Sequence, residues 1–399
     1  MVSSSSGYGH VLPMVPLARA LLAAGHEVLW GTGRDACPLV SAAGIDSRPA
    51  GLSDRQRTVV RRDLLAGAAG VPPDELGGYI FPRLFGAACA PKMLTDLLPL
   101  ARAWQPDLLV HEQGELAAPL VAALLGIPNV THAFGGATPA ETVRDAGKQT
   151  APLWAEHGQA LPAYAGCYRY LYLDICPTSV QTVSVAHIAN VQPLRPVSYA
   201  GEEPDPLAEC LDQDDATPLV YLTLGTVQNR TSRFRVALDG LASLEVRVLA
   251  TVGPHGDPAS LGPQPPHVRV ERYISQTAVL PRSTVVVSHG GSGTALAALG
   301  HGIPQVCLPQ AADQFRNALG VTRCGAGLAL LPEQVTARAI SEAVTTVLQD
   351  TAFRVNAERV RDQIAAMPPP SVVVRRLEEL VAAGPDSTTG KRASDRTDA

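Results

Sequence analysis

The sequence predicts an α/β protein with two similar domains, each a parallel β-sheet covered by helices, that face each other across a cleft. The 399 residues exceed the size of one typical domain core. Short apolar strands alternate with helical patterns in both halves of the chain. A segment of the first half also recurs in the second half. Together these three observations indicate one domain plan that occurs twice.

Composition and charge exclude several classes of protein. Hydrophobic residues make up 46% of the chain and charged residues 17%, and the 35 glycines and 34 prolines follow no fixed period, which excludes collagen, coiled-coil and wholly disordered chains. The formal net charge of −5, with no long run of either sign, predicts neither a nucleic-acid nor a membrane partner. No apolar run reaches the roughly 18 residues of a membrane helix, and the N-terminus lacks a signal-peptide pattern, so we expect a cytoplasmic protein.

The first half of the chain alternates strands and helices. Its first strand, within MVSSSSG, is short, and we expect residue 1 to lie inside a longer strand. Residues 11–24 then carry apolar side chains at helical spacing and end at Gly25, before a strand at Glu27–Trp30. The next predicted elements are strand Asp107–His111, helix Leu116–Leu125 and strand Ile127–Val130. This order predicts a parallel sheet with helices on both faces.

The second half repeats this alternation after a break. Residues 201–217 are acidic, contain proline and lack periodicity, which predicts a linker. Strands and helices then alternate from Leu219, an apolar stretch at Val372–Ala383 predicts a terminal helix, and the polar tail is typical of disorder. The predicted organisation is an N-terminal domain at 1–203, a linker at 204–217, a C-terminal domain at 218–365, a helix at 366–383 packing back on the N-terminal domain, and a disordered tail at 384–399.

An internal repeat supports the two-domain organisation. Residues 105–130 and 281–306 align without gaps, are identical at eight of 26 positions, and both end in Gly-Ile-Pro-x-Val. The repeat aligns Glu112–Gln113 with Ser288–His289, each pair at the carboxyl end of an equivalent strand. Open α/β sheets bind ligands at such strand ends. We therefore expect both pairs to line a single cleft.

The strongest chemical motif is Ser288–Thr294, SHGGSGT, between a strand at Thr284–Val287 and a helix at Ala295–Gly300. Its glycines let backbone amides approach a ligand, and the start of a helix is electropositive, so the turn suits a diphosphate. His289 is placed to donate to a phosphate oxygen. The alternative is a glycine-rich turn without a ligand. The motif is not a P-loop, because it lacks Gly-Lys-Ser/Thr.

Long segments in both halves resemble a known family. The C-terminal half contains, in order, LVYLTLGT, ERYISQTAVLPRSTVVVSHGGSGTALAALGHGIPQVCLPQAADQFRNA and GAG, and the N-terminal half opens with GYGHVLPMVPLARALLAAGHEV. These segments resemble family 1 glycosyltransferases of the GT-B fold, particularly the actinobacterial enzymes that glycosylate antibiotics, including the calicheamicin glycosyltransferases. The resemblance implies two Rossmann-like domains, with the acceptor on the N-terminal domain and a nucleoside diphosphate sugar on the C-terminal domain.

The resemblance also implies a donor site. Tyr273 stands where many relatives have a tryptophan that stacks on the nucleobase, the Ile274 backbone meets the base edge, and Gln276 lies near the ribose. The residues implied at the diphosphate are Thr226, His289, Gly290, Gly291, Ser292, Gly293 and Thr294.

Two further matches and one departure complete the implied donor site. Asp313 and Gln314 match an acid–amide pair that binds sugar hydroxyls. A helix-capping role for that pair, and a packed surface aromatic for Tyr273, remain alternatives. Relatives often have a second histidine where this chain has Ser288.

An acceptor hydroxyl must lose a proton as it attacks the sugar. His10 in His-Val-Leu-Pro stands at the position of the family's catalytic base, and Glu112 matches the acidic partner that orients it. Glu115 and His111 are rivals for the partner role. The alternatives are a turn or helix-cap histidine at position 10 and a solvated loop carboxylate at position 112. Residues 52–95 and 134–175 are the predicted acceptor loops.

The sequence thus favours an inverting, metal-independent glycosyltransferase without a cofactor. It would move a sugar, typically a deoxysugar, from a TDP- or UDP-sugar to a hydroxyl of a hydrophobic, polyketide-like aglycone, as a monomer or homodimer. The alternatives are a nucleotide-sugar epimerase, a non-catalytic partner of another transferase, and a dinucleotide-dependent oxidoreductase suggested by Gly7-x-Gly9. The oxidoreductase is disfavoured because no ribose-binding acid follows the strand that ends at Gly33.

Overall fold

A computed structural model describes residues 1–72, 75–199, 201, 217–225, 231–253 and 256–384. Within these residues the chain forms two parallel β-sheets, one of seven strands and one of six. Apolar clusters and helices cover both faces of each sheet. The predicted fold class, two parallel-sheet α/β domains, is confirmed.

The N-terminal sheet has its first strand at the centre. The strands are β1 (Val2–Ser4), β2 (Leu29–Thr32), β3 (Asp46–Pro49), β4 (Leu109–Glu112), β5 (Asn129–His132), β6 (Leu171–Asp174) and β7 (Val191–Pro193). Their order in the sheet is β3-β2-β1-β4-β5-β6-β7. The helices are α1 (Tyr8–Val11), α2 (Val15–Ala23), α3 (Cys37–Ala42), α4 (Asp54–Ala66), α5 (Leu76–Phe81), α6 (Ala90–Trp104), α7 (Ala118–Leu125) and α8 (Ala140–Glu156).

The C-terminal sheet follows the same plan. The strands are β8 (Leu219–Thr223), β9 (Arg247–Thr251), β10 (Val268–Glu271), β11 (Val285–Ser288), β12 (Gln305–Cys307) and β13 (Gly327–Ala329), in the order β10-β9-β8-β11-β12-β13. The helices are α9 (Thr231–Ala242), α10 (Gln276–Val279), α11 (Ser292–Gly300), α12 (Gln314–Arg323), α13 (Ala337–Gln349), α14 (Thr351–Ala366) and α15 (Pro370–Ala383). Central strands such as β11 are buried along their whole length and rich in valine, as expected of a parallel sheet covered on both sides.

The predicted strands are correct in kind but begin and end one or two residues too early. The observed strands β2, β4, β5 and β11 extend to polar residues at their carboxyl ends, namely Thr32, Glu112, His132 and Ser288. Apolar periodicity cannot detect such residues, although their backbones pair in the ladder. The difference matters because the candidate site residue Glu112 is one of these strand-end residues.

The C-terminal segment forms two helices. The prediction of one helix at 366–383 missed the break between α14 and α15, where three prolines at 368–370 interrupt the backbone hydrogen bonds. Helix α15 packs on α2 of the N-terminal domain, with Val373 and Leu377 in that domain's core and Glu378 2.9 Å from His26 Nε2. Most of the predicted linker, 204–216, and the predicted tail from residue 385 lie outside the described residues.

The first predicted acceptor loop is largely helical. It contains α4 and the start of a helical run, Leu76–Trp104, in which a π-helical segment at Pro82–Cys89 joins α5 to α6. By length and composition this run could cross a membrane, so the expectation that no segment is long and apolar enough to do so was wrong. More than half of its apolar window is buried inside the protein, as in the core helix of a folded domain.

Candidate active site

His10 and Glu112 meet at the carboxyl ends of β1 and β4. His10 lies at the end of the short helix α1, which begins after Gly7, and its Nδ1 is 3.1 Å from Glu112 Oε1. Glu112 is fully buried, whereas the His10 side chain is 18% exposed. With Nδ1 directed at the carboxylate, Nε2 is the ring nitrogen left for another partner.

Glu112 is held by hydrogen bonds on both oxygens. Besides His10, the backbone N–H of Ser5 donates to Oε1 at 3.3 Å and that of Gly114 donates to Oε2 at 2.5 Å. Burial alone raises the pKa of Glu112, but the attraction of His10 and these hydrogen bonds outweigh it and lower the pKa below its ordinary value. Glu112 is therefore a buried carboxylate, not the solvated loop residue weighed as an alternative.

The two rivals of Glu112 have other partners. Glu115 accepts a hydrogen bond from Ser3 Oγ and others from the first amides of α7, and burial raises its pKa to about 7. His111 is buried between Asn129 and Thr131, and burial lowers its pKa to about 4. Within the described residues, neither side chain contacts His10. The structure therefore favours Glu112 as the partner of His10.

Two phenylalanines flank the imidazole. The ring centroid of Phe85, from the π-helical segment, lies 5.5 Å from that of His10, and Phe134 lies at 5.1 Å. Phe81 packs on Phe85 at 4.9 Å. Phe81 and Phe85 lie in the first predicted acceptor loop, 52–95, and Phe134 is the first residue of the second, 134–175. His10 thus lies beside an aromatic surface.

The glycine-rich turn forms the start of helix α11. This helix begins at Ser292, three residues earlier than predicted, and the first intrahelical hydrogen bond runs from Ala295 N–H to Gly291 O. The backbone amides of Ser292, Gly293 and Thr294 therefore have no acceptor within the helix. They give the turn the donor geometry that an anion requires.

His289 is held between two glycines. A Cβ on Gly225, in the loop after β8, or on Gly291 would collide with the imidazole ring. Gly225 also has φ of 82°, a conformation that side chains disfavour. Burial lowers the pKa of His289, against the opposing effects of Asp313 and the Thr223 backbone, so the ring is neutral at pH 7. Ser288, at the position of the relatives' second histidine, is buried and accepts a hydrogen bond from Gly290 N–H.

One other residue of the predicted donor site, Gln276, contacts this turn. Gln276, at the start of α10, donates from Nε2 to Thr294 Oγ1 at 2.9 Å. Tyr273 is 53% exposed, which does not support a tightly packed surface aromatic, whereas the next residue, Ile274, is buried. Gly290 adopts φ of 76° and lets the chain turn sharply into α11. Thr226 lies outside the described residues.

Asp313 belongs to a side-chain network that includes one residue missed by the sequence analysis. Its Oδ2 accepts hydrogen bonds from Ser292 Oγ at 2.6 Å and from Asn317 Nδ2 at 3.0 Å. Although Asp313 occupies the N-cap of α12, its side chain makes no capping bond. Gln314 Oε1 instead accepts hydrogen bonds from the backbone amides of residues 310 and 311. Its Nε2 makes no hydrogen bond among the described residues and could donate to a ligand. Asn317 follows Asp313 by one helical turn, a weak signal on its own.

One loop connects the two halves of the site. Phe134, beside His10, precedes Gly135, which contacts the Ser292 side chain of the other domain so closely that a Cβ would collide with it. Gln113 and Gln181 hold this loop by hydrogen bonds to the Gly136 carbonyl and the Ala137 amide. Through this loop the surroundings of His10 adjoin the Ser292 end of the α11 turn. Of the four residues that the internal repeat places on the cleft, Glu112, Gln113 and Ser288 are buried, so they lie behind this region and do not line it. Within the described residues, no group of three or more His, Cys, Asp or Glu side chains has metal-site geometry.

Comparison with known proteins identifies the family. Residues 80–225 match the N-terminal domain, and residues 235–380 the C-terminal domain, of the erythromycin biosynthesis protein CIII-like family. The chain is 34% identical over 388 residues to the L-demethylnoviosyl transferase of Streptomyces niveus, an alignment that covers 94% of this chain and 97% of the relative.

This chain belongs to the CIII-like family. The family comprises antibiotic glycosyltransferases of the GT-B fold, so the predicted resemblance, the fold and the assignment as a glycosyltransferase are all confirmed.

Two solved structures show the same architecture. The glycosyltransferase SsfS6 of Streptomyces sp. SF2575, complexed with thymidine diphosphate, is 28% identical with a TM-score of 0.77, covering 95% of this chain and 98% of that one. The spinosyn rhamnosyltransferase SpnG, complexed with spinosyn aglycone, is 27% identical with the same TM-score, covering 94% and 99%.

Proposed function

We propose that this CIII-like glycosyltransferase moves a deoxysugar from a thymidine diphosphate donor to a hydroxyl of a hydrophobic, polyketide-like acceptor, with inversion and without a metal. The observation that carries the proposal is the His10–Glu112 pair, 3.1 Å apart, in the same cleft as the α11 turn. The relatives solved with thymidine diphosphate and with an aglycone support this choice of donor and acceptor. A uridine donor is the alternative.

The acceptor step uses His10 as a general base. Its Nε2 takes the proton of the acceptor hydroxyl while that oxygen attacks the anomeric carbon from the face opposite the diphosphate. The new C–O bond forms as the bond to the diphosphate breaks, so one displacement inverts the anomeric centre. The proton remains on His10, and the Glu112 carboxylate stabilises the resulting imidazolium.

The donor step needs stabilisation of the departing diphosphate. Negative charge accumulates on the leaving oxygens, and we assign the free amides of residues 292–294, the start of helix α11 and His289 as the donors that stabilise it. These groups supply the stabilisation that a divalent cation provides in other transferases. We therefore propose that the reaction proceeds without a metal and that the enzyme has no other cofactor. The sugar hydroxyls lie toward Asp313 and Gln314.

Ligand-dependent stabilisation tests the donor assignment. We expect thymidine diphosphate to raise the melting temperature of the enzyme, whereas NAD and NADP leave it unchanged, because only a ligand of the native state stabilises it. Uridine diphosphate in the same series decides between the two nucleotides. A shift with NADP and none with either nucleoside diphosphate would exclude the proposed donor site. Conversion of the donor without an acceptor would favour the epimerase. The cytoplasmic location and the monomeric or dimeric state remain predictions.

A further inference from the structure

Helix α4 carries four arginines, two of which face the protein. Arg55 and Arg62 are exposed, and Arg62 pairs with Asp63 in solvent. Arg57 and Arg61 are half-buried and lie one turn apart on the side of α4 that packs against the π-helical segment. These two arginines, which we call the inner pair, play no part in the reaction described above.

The inner pair borders the general base. Arg57 donates from Nη1 to the Ser6 carbonyl oxygen. If Gly7 carried a Cβ, that atom would lie 3.3 Å from Arg57 Nη2 and 3.8 Å from His10 Cδ2. The guanidinium and the imidazole therefore flank the same glycine. Cys89 follows Phe85 by about one turn. Burial raises the pKa of the Cys89 thiol, and the positive charge of Arg57 is close enough to lower it in part. Arg57 therefore lies beside the aromatic surface next to His10.

The inner pair lacks a counter-ion within the described residues. Asp54, one turn earlier on α4, accepts a hydrogen bond from Ser6 Oγ at 2.7 Å. Asp63 forms an ion pair with Arg62. The Nε atom of Arg57 is buried with no hydrogen-bond partner in the part of the chain that the structure describes. Burial and the charge of Arg57 lower the pKa of Arg61.

Two half-buried cations close together are unfavourable unless an anion compensates them, because burial weakens their hydration. Guanidinium groups bind carboxylates and other oxyanions with two parallel hydrogen bonds. Such charge-assisted hydrogen bonds are stronger than those between neutral groups. A ligand oxyanion would fill the role that no described side chain takes. No described side chain of α4 or of the loop at Ser6 supplies it.

We propose that Arg57 and Arg61 bind an oxyanion of the acceptor, a carboxylate or an ionised phenol or enol, carried near the hydroxyl that receives the sugar. This inference rests on the proposed function, because it requires the acceptor to bind beside His10. The inner pair selects acidic aglycones over neutral ones and fixes the register of the acceptor against the base. It is a specificity site and takes no part in proton transfer.

Binding of matched probes tests the proposal. The probes are 6-hydroxy-2-naphthoic acid, its neutral carboxamide and 2,4-dinitro-1-naphthol, which is ionised at neutral pH, each titrated calorimetrically with thymidine diphosphate at saturation. Wild-type enzyme should bind the acid at least about tenfold more tightly than the amide. A charge-assisted hydrogen bond typically changes an affinity by that factor. Arg61→Gln should remove most of this preference, whereas the exposed control Arg62→Gln, whose side chain is 74% exposed, should keep it. The nitrated naphthol shows whether a phenolate is accepted as well as a carboxylate.

A second measurement needs no variant. The preference of the wild type for the acid should shrink as the salt concentration rises, because ions screen a partly exposed charge pair. Equal affinity of the wild type for acid and amide, or an unchanged preference in a folded Arg61→Gln, would overturn the proposal. Thymidine diphosphate binding reports separately on the proposed function: its loss in the wild type would contradict that function, whereas its retention with no acid preference would contradict only the inner pair.

Discussion

Replacement of His10 by alanine is expected to slow sugar transfer to an aliphatic hydroxyl by about 10²–10⁴-fold, the usual contribution of a positioned general base. The loss arises because Glu112 is fully buried and already bonded by Ser5 and Gly114, so it cannot take over the proton. Thymidine diphosphate affinity should stay almost unchanged, because the donor residues lie on the other domain. Steady-state rates and calorimetric titration measure the two quantities.

Controls separate proton removal from a structural effect. His26→Ala removes an exposed histidine between α2 and β2, outside both predicted acceptor loops, and should leave transfer unchanged. Glu112→Ala should cost less than His10→Ala, because the imidazole remains and loses only its orientation and charge partner. An acceptor phenol that is already ionised should rescue His10→Ala more than an aliphatic alcohol does. Wild-type rates of His10→Ala with the alcohol would contradict the role of His10, and equal rescue of both acceptors would show that His10 does something other than remove the proton.

The second large effect is expected at the donor site. His289→Ala should weaken the binding of thymidine diphosphate by about 10–100-fold, because a hydrogen bond to a charged phosphate contributes about 1.5–3 kcal/mol. The pocket between Gly225 and Gly291 would also lose the ring that fills it. Acceptor affinity should change little. Titration of the nucleotide and of an acceptor against the same variant measures both.

His301→Ala is the matched control for this variant. His301 follows the opposite end of the same helix, α11, and is exposed, so its loss removes an imidazole without touching the turn. Nucleotide binding should be unaffected. If His289→Ala folded normally and bound thymidine diphosphate as tightly as the wild type, the turn would not bind the diphosphate through this side chain.

Much of the architecture could be predicted from the sequence because it depends on local patterns. Apolar periodicity located the strands and helices, and the recurrence of Gly-Ile-Pro-x-Val identified two similar domains. Strand ends were misplaced where polar residues such as Glu112 and His132 continue the backbone ladder. The start of α11 was placed too late because Ser292 and Gly293 have low helix propensity, although the helix begins with them.

The site was predictable only in part. Glu112 could be paired with His10 from the family pattern and the repeat, and the structure brings the two together. Phe134, Gly135 and Asn317 act through contacts between segments far apart in the chain, which no local pattern reveals. The inner pair looks like two ordinary surface arginines in the sequence. Only the packing of α4 shows that they are half-buried and that no counter-ion faces them among the described residues.

The anomeric configuration of the product tests the central claim most directly. A purified thymidine diphosphate sugar of known configuration is incubated with the enzyme and a hydroxylated acceptor in excess EDTA, and the glycoside is examined by NMR. A single displacement assisted by His10 and the α11 turn predicts the inverted anomer, formed at the same rate with and without EDTA. A product of retained configuration, or a rate abolished by EDTA and restored by a divalent cation, would contradict the account.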